Sequence, residues 1–379
     1  DGARTPFLKS KNRPGVFSAG DLATQAGKTL LARQKFAPTD LDEVILGCAA
    51  PSVDEVNIGR VAALRMGCGQ KVPGWTVMRN CASGMEAVLE AQLRMRSGQG
   101  EVFLVGGAES MSNFPLLMGP RLVKFFSNLS KAKTAAQRLR ALLHFRPSAL
   151  KPRIAVMEGL TDPITGLMMG NTAENVASLF GVDRAAMDAF ALQSHQRAAT
   201  AQQQNKFAAE IAAFTPPPRY QGVLSADDGV RQQQTLQALS QLRPVFDKNN
   251  GDVTVGNACQ VSDGAAALLV MTQARAKALG LQPLAILRGA ATAGLDPAYM
   301  GLGPVHATPK ALQQAGIAFS DLELFEINEA FAAQVLGCMR AFASDAYCRD
   351  KVGTAKAIGE LDPARLNVNG GADRKSTRL

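Results

Sequence analysis

A cysteine at position 81 has the sequence surroundings of a nucleophile. It follows an apolar run, Trp75 to Met78, that predicts a buried strand, and it precedes Ala82 to Ser97, whose pattern predicts a helix. A thiol in that turn would lie beside the orphan N–H groups and positive dipole end of a helix N-terminus. This environment favours the thiolate, the reactive form. We therefore predict that Cys81 is nucleophilic, with small residues Ala82 to Gly84 leaving room for a substrate. The alternative is a small buried hydrophobe, the common role of an isolated cysteine.

Composition limits the other kinds of chemistry. The 379 residues are 46% hydrophobic and 19% charged, which indicates a soluble globular protein with two domains or one fused double domain. No apolar run approaches the ~20 residues of a membrane-spanning helix. The six cysteines have no regular spacing and there are three histidines, so we expect neither a disulfide framework nor a metal site. A reducing cytoplasm fits this cysteine usage best, and a mitochondrial location stays open.

The positive charge is concentrated in one segment. The net charge is +9, and nine Lys or Arg residues with no Asp or Glu lie between Arg121 and Arg153. Such a segment can be a solvated loop, a site for phosphate-bearing ligands, an anionic membrane contact or an acidic-partner contact. Nucleic acid is disfavoured, because this segment offers only Phe125, Phe126 and Phe145 as stacking groups and no known binding-fold signature is present.

The elements around Cys81 alternate between helices and short strands, which predicts α/β layers. We expect a helix over Leu22–Gln34, a strand over Val44–Leu46, and a strand over Glu101–Val105 closed by two glycines. The segment from Leu31 to Ile45 matches the segment from Leu312 to Glu326, which indicates a duplicated half-domain.

The domain prediction follows from this repeat. Residues 1–284 form an N-terminal half that includes an inserted loop domain over about 112–241, placed above the site. Residues 285–379 form a C-terminal half, with a strand over Leu324–Ile327 and another over Arg365–Asn369. After Gly370 and Gly371 the expected second central helix does not follow, so we expect this half to be incomplete, or its reading frame to go astray after Ala372.

Several ordered segments together carry a family resemblance: Arg4-Thr5-Pro6-Phe7; Asn80-Cys81-Ala82-Ser83-Gly84; Gly106-Gly107-Ala108-Glu109-Ser110-Met111-Ser112; Met169-Gly170-Asn171-Thr172-Ala173-Glu174-Asn175; Gly256-Asn257-Ala258 with Asp263-Gly264-Ala265-Ala266; Asn328-Glu329-Ala330-Phe331-Ala332; Asn367-Val368-Asn369-Gly370-Gly371. In this order and spacing the chain resembles the thiolases over nearly its full length. The resemblance implies a thiolase-like fold of duplicated α/β half-domains in layers (αβαβα) with a long inserted loop domain. The basic segment resembles the β-oxidation branch of the family.

The resemblance also implies the activity. The Cys81 thiolate would attack the 3-keto group of a 3-ketoacyl-CoA, acetyl-CoA would leave, and a second CoA would take the acyl group, or the reverse condensation would run. Asn328 would orient a water in an oxyanion hole, and the Cys81 N–H would serve the other hole. A helix N-cap is the structural alternative for Asn328. The resemblance implies that six residues bind the substrate: Met168, Met169, Asn257, Ala258, Cys259 and Phe331. Met168 suits a long acyl chain or core packing.

The same resemblance implies partners and substrates. CoA and acyl-CoA are substrates, and no cofactor is expected. A homodimer or tetramer is expected, and assembly with a hydratase/dehydrogenase α subunit is a further option. We expect the basic segment to contact the adenosine phosphates of CoA, a partner or a membrane surface.

Two family motifs are missing. The family has a Gly-His-Pro segment whose His activates the nucleophile, and a later Cys that acts as acid and base; neither is present here. No histidine of this chain stands in a matching motif, and His195 is expected to be exposed in mid-helix. A truncated thiolase is the leading hypothesis. The alternatives are a catalytically impaired acyl-CoA-binding or scaffold subunit and a β-ketoacyl synthase, the latter disfavoured by the Asn328 motif and the lack of paired histidines.

Overall fold

The computed structural model describes residues 1–11 and 13–371, which fold as an α/β protein. The strands are β1 (Gly2–Arg4), β2 (Leu8–Lys9), β3 (Glu43–Gly47), β4 (Gly74–Val77), β5 (Val102–Ser110), β6 (Leu116–Leu117), β7 (Arg153–Ile154) and β8 (Ser262–Met271). The helices are α1 (Ala19–Leu31), α2 (Ile58–Arg65), α3 (Ser83–Arg96), α4 (Pro120–Lys131), α5 (Ala135–Leu143), α6 (Ala155–Gly159), α7 (Met169–Phe180), α8 (Arg184–Gln203), α9 (Leu236–Ser240), α10 (Gln273–Ala278), α11 (Gly303–Ala315), α12 (Ala332–Phe342) and α13 (Asp345–Tyr347).

The central sheet has the order β1-β8-β5-β3-β4 among the described residues, and β2 also pairs with β8. Strand β3 is parallel to both β4 and β5, whereas β8 is antiparallel to β5. The carboxyl ends of β3, β4 and β5 therefore meet at one edge of the sheet, where β8 begins. Helices α1 and α2 cover one face through a core that includes Leu22, Leu30 and Ile58, and α3 packs on the other face through Ala87 and Ala91.

The predicted first-half elements are found with shifted ends. Strand β5 runs through both glycines rather than ending before them: Gly106 pairs with Ala267 and Gly107 with Ala266. Pairing with β8 overrides the tendency of glycine to interrupt strands. Helix α3 is covered on its sheet side, while Met85 and Leu93 are exposed at 54% and 57%.

The internal repeat has structural counterparts. Helices α1 and α11 each have 13 residues. After each, an aspartate carboxylate accepts the N–H of the residue three positions earlier, Asp40 from Ala37 at 3.0 Å and Asp321 from Ala318 at 2.8 Å. A parallel pairing follows in both halves: β3 with β4, and Phe325 with Leu366.

The strands predicted over Leu324–Ile327 and Arg365–Asn369 are wrong as regular strands, because within residues 1–11 and 13–371 they form a single bridge. The side chain of Asn367 explains this. Its Oδ1 accepts the N–H of Ile327 at 2.9 Å and its Nδ2 donates to the carbonyl of Ile327 at 2.8 Å. The backbone of Asn367 has φ of 46°, so the chain turns where a ladder would continue.

The segment between β5 and β8 contains six α-helices, and the longest of them, α8, has one buried side. Helix α8 packs against α12 and α9. The prediction of an exposed His195 is wrong: this residue is 3% exposed, and its Nδ1 accepts the N–H of Arg231 at 3.1 Å. The described helices are all too short or too polar to cross a membrane.

The predicted domain boundaries, 1–284 with the insertion 112–241 and 285–379, stay predictions. The predicted departure from the family after Ala372 lies outside the described residues.

A histidine in the C-terminal half gives a pH-dependent stability. The Nε2 atom of His306 lies 3.0 Å from the hydroxyl of Tyr347, and burial together with the charge of Lys310 lowers the pKa of His306 from its ordinary 6.5. The unfolded chain then binds this proton more readily than the folded protein. The contribution of His306 is therefore intact above pH 6.5 and is lost as the pH falls toward the folded-state pKa.

Replacing this residue, His306→Gln, is expected to reduce the loss of stability on acidification below about pH 6.5. Urea unfolding of both proteins at about pH 7.5 and about pH 5.5 measures this difference. An identical acid-induced loss in both proteins contradicts the assignment.

Candidate active site

Cys81 lies in a fixed turn between β4 and α3. The preceding Asn80 has φ of 47°, a left-handed conformation that asparagine tolerates better than most residues. The N–H of Ala82 donates to the carbonyl of Arg79 at 3.0 Å, and the N–H of Ser83 donates to the carbonyl of Asn80 at 3.1 Å. The turn therefore uses two of the N–H groups that we expected to be orphaned beside the sulfur. The side chain of Cys81 is exposed, so a substrate can reach it.

The hydroxyl of Ser83 holds this turn. Ser83 is buried, its Oγ accepts the N–H of Arg79 at 2.8 Å, and the same hydroxyl donates to the carbonyl of Asn80 at 2.6 Å. Both bonds close the chain around Cys81, so we assign Ser83 a positioning role.

Ser83→Ala is expected to destabilise the protein by about 1–3 kcal/mol, because it removes both bonds to the turn backbone. We also expect the rate of reaction at Cys81 to fall roughly tenfold as the turn loosens. Urea unfolding and alkylation rates of Cys81 measure the two effects. Ser97→Ala is the matched control: that hydroxyl donates to the carbonyls of Leu93 and Arg94 at the exposed end of the same helix. An equal change in alkylation rate for both variants contradicts the role.

The small residues around Cys81 serve packing rather than access. Ser83 and Gly84 are buried beneath the turn. A Cβ on Gly47 would lie 2.2 Å from the carbonyl carbon of Ser83 and 2.4 Å from the nitrogen of Gly84. The start of α3 therefore touches the end of β3 directly. The expected space for substrate lies on the exposed side of Cys81 and Ala82.

The six cysteines all fall in the described part of the chain and differ in accessibility. Cys48, Cys68, Cys338 and Cys348 are buried, and Cys259 is half-buried. Burial raises the thiol pKa of Cys68 to about 11 and of Cys338 to about 12. Burial, with the charge of Glu109, also raises the pKa of Cys48. Burial keeps these three thiols protonated, whereas the exposed thiol of Cys81 meets the access requirement of a nucleophile.

An open cleft adjoins the turn, lined by residues at the strand ends. Its lining includes Asn80, Ser83, Gly107, Glu109 and Asp263. The carboxylate of Glu109 accepts the N–H groups of Ala49 at 2.9 Å and Ala50 at 3.2 Å, which fixes the loop after β3. Burial raises the pKa of Asp263, although its Oδ1 accepts the N–H of Ser112 at 2.8 Å.

The structure brings several of the predicted substrate-binding residues together. Ala258 and Phe331 form an antiparallel bridge. The N–H of Cys259 donates to the carbonyl of Ala330 at 2.9 Å, and the N–H of Ala332 donates to the carbonyl of Asn257 at 2.9 Å. The segments 257–259 and 330–332 therefore form one unit. They were recognised separately in the sequence, since more than seventy positions separate them.

The side-chain amide of Asn257 makes hydrogen bonds within the protein through both its oxygen and its nitrogen. It is buried, its Oδ1 accepts the N–H of Thr254 at 2.8 Å, and its Nδ2 donates to Asp188 at 3.0 Å. Any contact of Asn257 with a substrate would have to use its backbone. Its binding role stays a prediction.

Asn328 is exposed, and the residues on either side of it are fixed. Asn367 holds Ile327 before it, and Glu329 after it is buried. The Oε1 of Glu329 accepts from the Nδ2 of Asn367 at 2.7 Å, and its Oε2 accepts from the hydroxyl of Ser194 at 2.5 Å. The helix-cap alternative for Asn328 is wrong, because α12 begins at Ala332 and its N-cap is Phe331. The supporting trio Ser194, Glu329 and Asn367 was not predicted from the sequence, where the Asn-Glu and Asn-Gly-Gly motifs are the only signal of it.

Met168 and Met169 lie at the start of α7, which packs near the same unit through one aromatic ring. Met168 is the N-cap of α7 and Met169 its first residue. A Cβ on the next residue, Gly170, would lie 2.2 Å from the ring of Phe246, whose centroid is 5.9 Å from that of Phe331. The start of α7 thus packs against the 330–332 segment through Phe246.

The two regions connect through β8. Ser262 lies three positions after Cys259, which bounds their Cα distance at about 11 Å. Ser262 lines the cleft that Asn80 also lines. The strand start that forms one wall of the cleft therefore continues from the 257–259 segment. The accessible thiol therefore lies just before a helix, beside a cleft at the carboxyl ends of three parallel strands of an α/β protein.

Comparison with known families agrees with the fold and the motifs. The family "Thiolase, N-terminal domain" matches residues 1–274, and "Thiolase, C-terminal domain" matches residues 281–373. The chain belongs to the thiolase family.

Relatives and solved structures extend over nearly all of the chain. It is 38% identical over 373 residues to a 3-ketoacyl-CoA thiolase of Yersinia enterocolitica, covering 98% of this chain and 84% of that protein. The structure resembles human mitochondrial 3-ketoacyl-CoA thiolase in complex with CoA with a TM-score of 0.81 at 32% identity, covering 98% of this chain and 84% of that one. It resembles an acetyl-CoA acetyltransferase from Syntrophomonas wolfei with a TM-score of 0.83 at 32% identity, covering 100% and 87%.

Proposed function

We propose that this acetyl-CoA C-acyltransferase cleaves 3-ketoacyl-CoA through an acyl-enzyme on Cys81. The observation that carries the proposal is the exposed Cys81 side chain, held in the turn before α3 in a chain of the thiolase family. We assign the activity to fatty-acid β-oxidation, and the name of the relative, 3-ketoacyl-CoA thiolase, supports this assignment. The alternative of a scaffold or impaired subunit is not favoured by these relatives.

The first step forms a bond from the sulfur of Cys81 to the 3-keto carbon. The bond between C2 and C3 then breaks, its electron pair stays on C2, and a proton from solvent completes acetyl-CoA. In the second step the thiol of a new CoA gives its proton to solvent and attacks the thioester carbon, and the sulfur of Cys81 leaves as thiolate. Each attack places negative charge on a carbonyl oxygen, so fixed donors at that oxygen lower both barriers.

We assign this donor role to the side-chain amide of Asn328. Its backbone neighbours are fixed by Asn367 and Glu329, which limits the movement of its amide. A fixed donor costs no reorganisation when the charge develops. Phe331, Ala258, Cys259, Met168 and Met169 are assigned to binding of the CoA thioester, with the methionines toward the acyl chain.

Asn328→Ala is expected to lower kcat by roughly 10²–10³-fold, the usual effect of removing one oxyanion donor. Steady-state thiolysis with a 3-ketoacyl-CoA measures it. Asn328→Asp is the companion variant of the same size: its negative charge should be at least as harmful. Wild-type kcat in either variant contradicts the role.

The proposal is tested by trapping the acyl-enzyme. Incubation with 3-ketoacyl-CoA labelled in the acyl chain beyond C2, without CoA, should leave the label on the peptide that contains Cys81. Release of that label by added CoA should follow. Label on another cysteine, such as the half-buried Cys259, would refute the assignment of the nucleophile.

The remaining expectations belong to the same proposal. CoA thioesters are the substrates, and no separate cofactor enters the two steps. We assign the protein to a cytoplasmic, reducing compartment as a dimer or tetramer, with an α subunit carrying hydratase and dehydrogenase activity as the candidate partner. Support comes from the relatives of bacterial origin and from the accessible thiol.

A further inference from the structure

Helix α8 contacts the segment that carries Asn328 through one hydroxyl group. Ser194 is buried on α8, and its hydroxyl donates to the Oε2 atom of Glu329 at 2.5 Å. The oxygen of the same hydroxyl accepts the N–H of Gly371 at 3.3 Å. One serine therefore joins three stretches of chain that lie more than forty positions apart in the sequence.

Glu329 lies at the centre of this contact. It is 4% exposed, and its Oε1 atom accepts from the Nδ2 atom of Asn367 at 2.7 Å. Its backbone N–H donates to the carbonyl of Gly371 at 3.4 Å. A Cβ on Gly371 would lie 2.6 Å from Oε1 of Glu329, so a larger residue there would push the carboxylate out of place. Both carboxylate oxygens of Glu329 are thus held in position.

Asn328 lies between two residues that are held in this way. On its N-terminal side, Asn367 bonds to both backbone groups of Ile327. On its C-terminal side, Ser194 and Asn367 hold the carboxylate of Glu329. Asn328 itself is exposed, so the direction of its side chain depends on the backbone that these bonds fix.

We propose that Ser194 is a positioning residue for the amide of Asn328 and acts through Glu329. The role of Ser194 rests on the proposed function, in which that amide stabilises negative charge on a carbonyl oxygen. A donor lowers the barrier most when it is already oriented before the charge develops. Loss of the hydroxyl removes one of the bonds that orient the segment, and the amide of Asn328 then spends less time in the productive direction.

The test is a double-mutant cycle on Ser194 and Asn328. Ser194→Ala should lower kcat for thiolysis roughly tenfold and leave KM within about twofold, because the bond matters most when charge develops. In the Asn328→Ala background the same substitution should change kcat by less than about twofold, because the group that it positions is gone. Steady-state kinetics of the wild type, the two single variants and the double variant measure this coupling.

A second readout separates positioning from a general loosening of the protein. Alkylation of Cys81 by iodoacetamide uses the same sulfur but places no charge on a carbonyl oxygen. Its rate should therefore be unchanged in Ser194→Ala. A fall in the alkylation rate equal to the fall in kcat would contradict a role through Asn328.

Two further variants complete the test. Glu329→Gln keeps the size of the side chain, but its amide nitrogen accepts no hydrogen bond. It should lower kcat at least as far as Ser194→Ala, and it should have equally little effect in the Asn328→Ala background. Thr24→Val is the matched control, because it also removes a buried hydroxyl, one that donates to the carbonyl of Gly20 at 2.6 Å within α1. Its kcat should equal that of the wild type.

Circular dichroism confirms that each variant is folded before its kcat is compared, and the Glu329→Gln cycle decides if Ser194→Ala does not fold. A tenfold loss that persists in full in the Asn328→Ala background overturns the role of Ser194 and leaves that of Asn328 intact. Wild-type kcat in folded Ser194→Ala, or an equal loss in Thr24→Val, overturns it as well. Wild-type kcat in Asn328→Ala would instead refute the proposed donor itself, so the two failures are distinguishable.

Discussion

Cys81→Ser should lower the rate of thiolysis by roughly 10³-fold or more, because an alcohol replaces the thiolate in both covalent steps. The variant should fold normally, since the side chain is exposed and oxygen is smaller than sulfur. It should also fail to take up label from 3-ketoacyl-CoA. Single-turnover kinetics and intact-protein mass spectrometry measure the two losses.

The control for this prediction is another cysteine. Cys68→Ala removes a buried thiol away from the cleft lining, so it should affect stability while leaving acyl-enzyme formation in place. Retained turnover in Cys81→Ser, or loss of labelling in Cys68→Ala with an intact fold, would show that the nucleophile is elsewhere.

Asp227→Ala should destabilise the protein by about 3–5 kcal/mol, because it removes the bidentate partner of a buried guanidinium, which then keeps the bond from its Nε to the half-exposed Glu210 at 2.8 Å. Arg4 donates to Asp227 through Nη1 at 2.7 Å and Nη2 at 3.0 Å, and the two side chains are 5% and 1% exposed. The same carboxylate accepts the N–H of Phe7 at 2.8 Å. Phe7 lines the cleft, so the loss should reach the site as well. Urea unfolding monitored by circular dichroism measures the destabilisation.

An exposed ion pair serves as the control. Asp350 pairs with Arg349 with both side chains 62% exposed, so Asp350→Ala should cost about 0–1 kcal/mol. If Asp227→Ala costs no more than this, the buried pair does not anchor β1. The double variant Arg4→Met with Asp227→Leu separates the cost of an unpaired buried charge from the net contribution of the ion pair. Removing both charges should recover part of the stability lost in the single variant.

Local sequence was enough to predict the elements that carry the thiol. The apolar run before Cys81 and the helical pattern after it gave β4 and α3 to within a residue or two at each end. The match between the segments at Leu31 and Leu312 indicated a duplication, and the turns at Asp40 and Asp321 contain the same hydrogen bond. These features depend on residues a few positions apart, which interact in any compact state of the chain. The family followed from the ordered motifs and is confirmed by the relatives.

Predictions from local sequence were wrong where residues far apart in the chain supply the hydrogen bonds or the packing. Glycine is expected to interrupt a strand, yet β5 continues because β8 pairs along its whole length. A regular strand was expected at Leu324–Ile327, yet Asn367, forty positions away, takes both backbone groups of Ile327. His195 was expected to be exposed, yet α8 is packed against α12 and α9.

The amino-acid order by itself determined the class of chemistry, the accessible position of the thiol in a turn, and the accumulation of cations between Arg121 and Arg153. Tertiary structure decided which polar side chains remain available to bind a substrate. It committed Asn257 to Asp188, fixed Glu109 on the loop after β3, and buried Arg4 against a residue 223 positions away. It also turned Leu139, Leu142 and Leu143 outward. The physical reason is that a buried polar group bonds to whichever partner the fold brings close to it. The periodicity of the sequence does not indicate which residue that partner is.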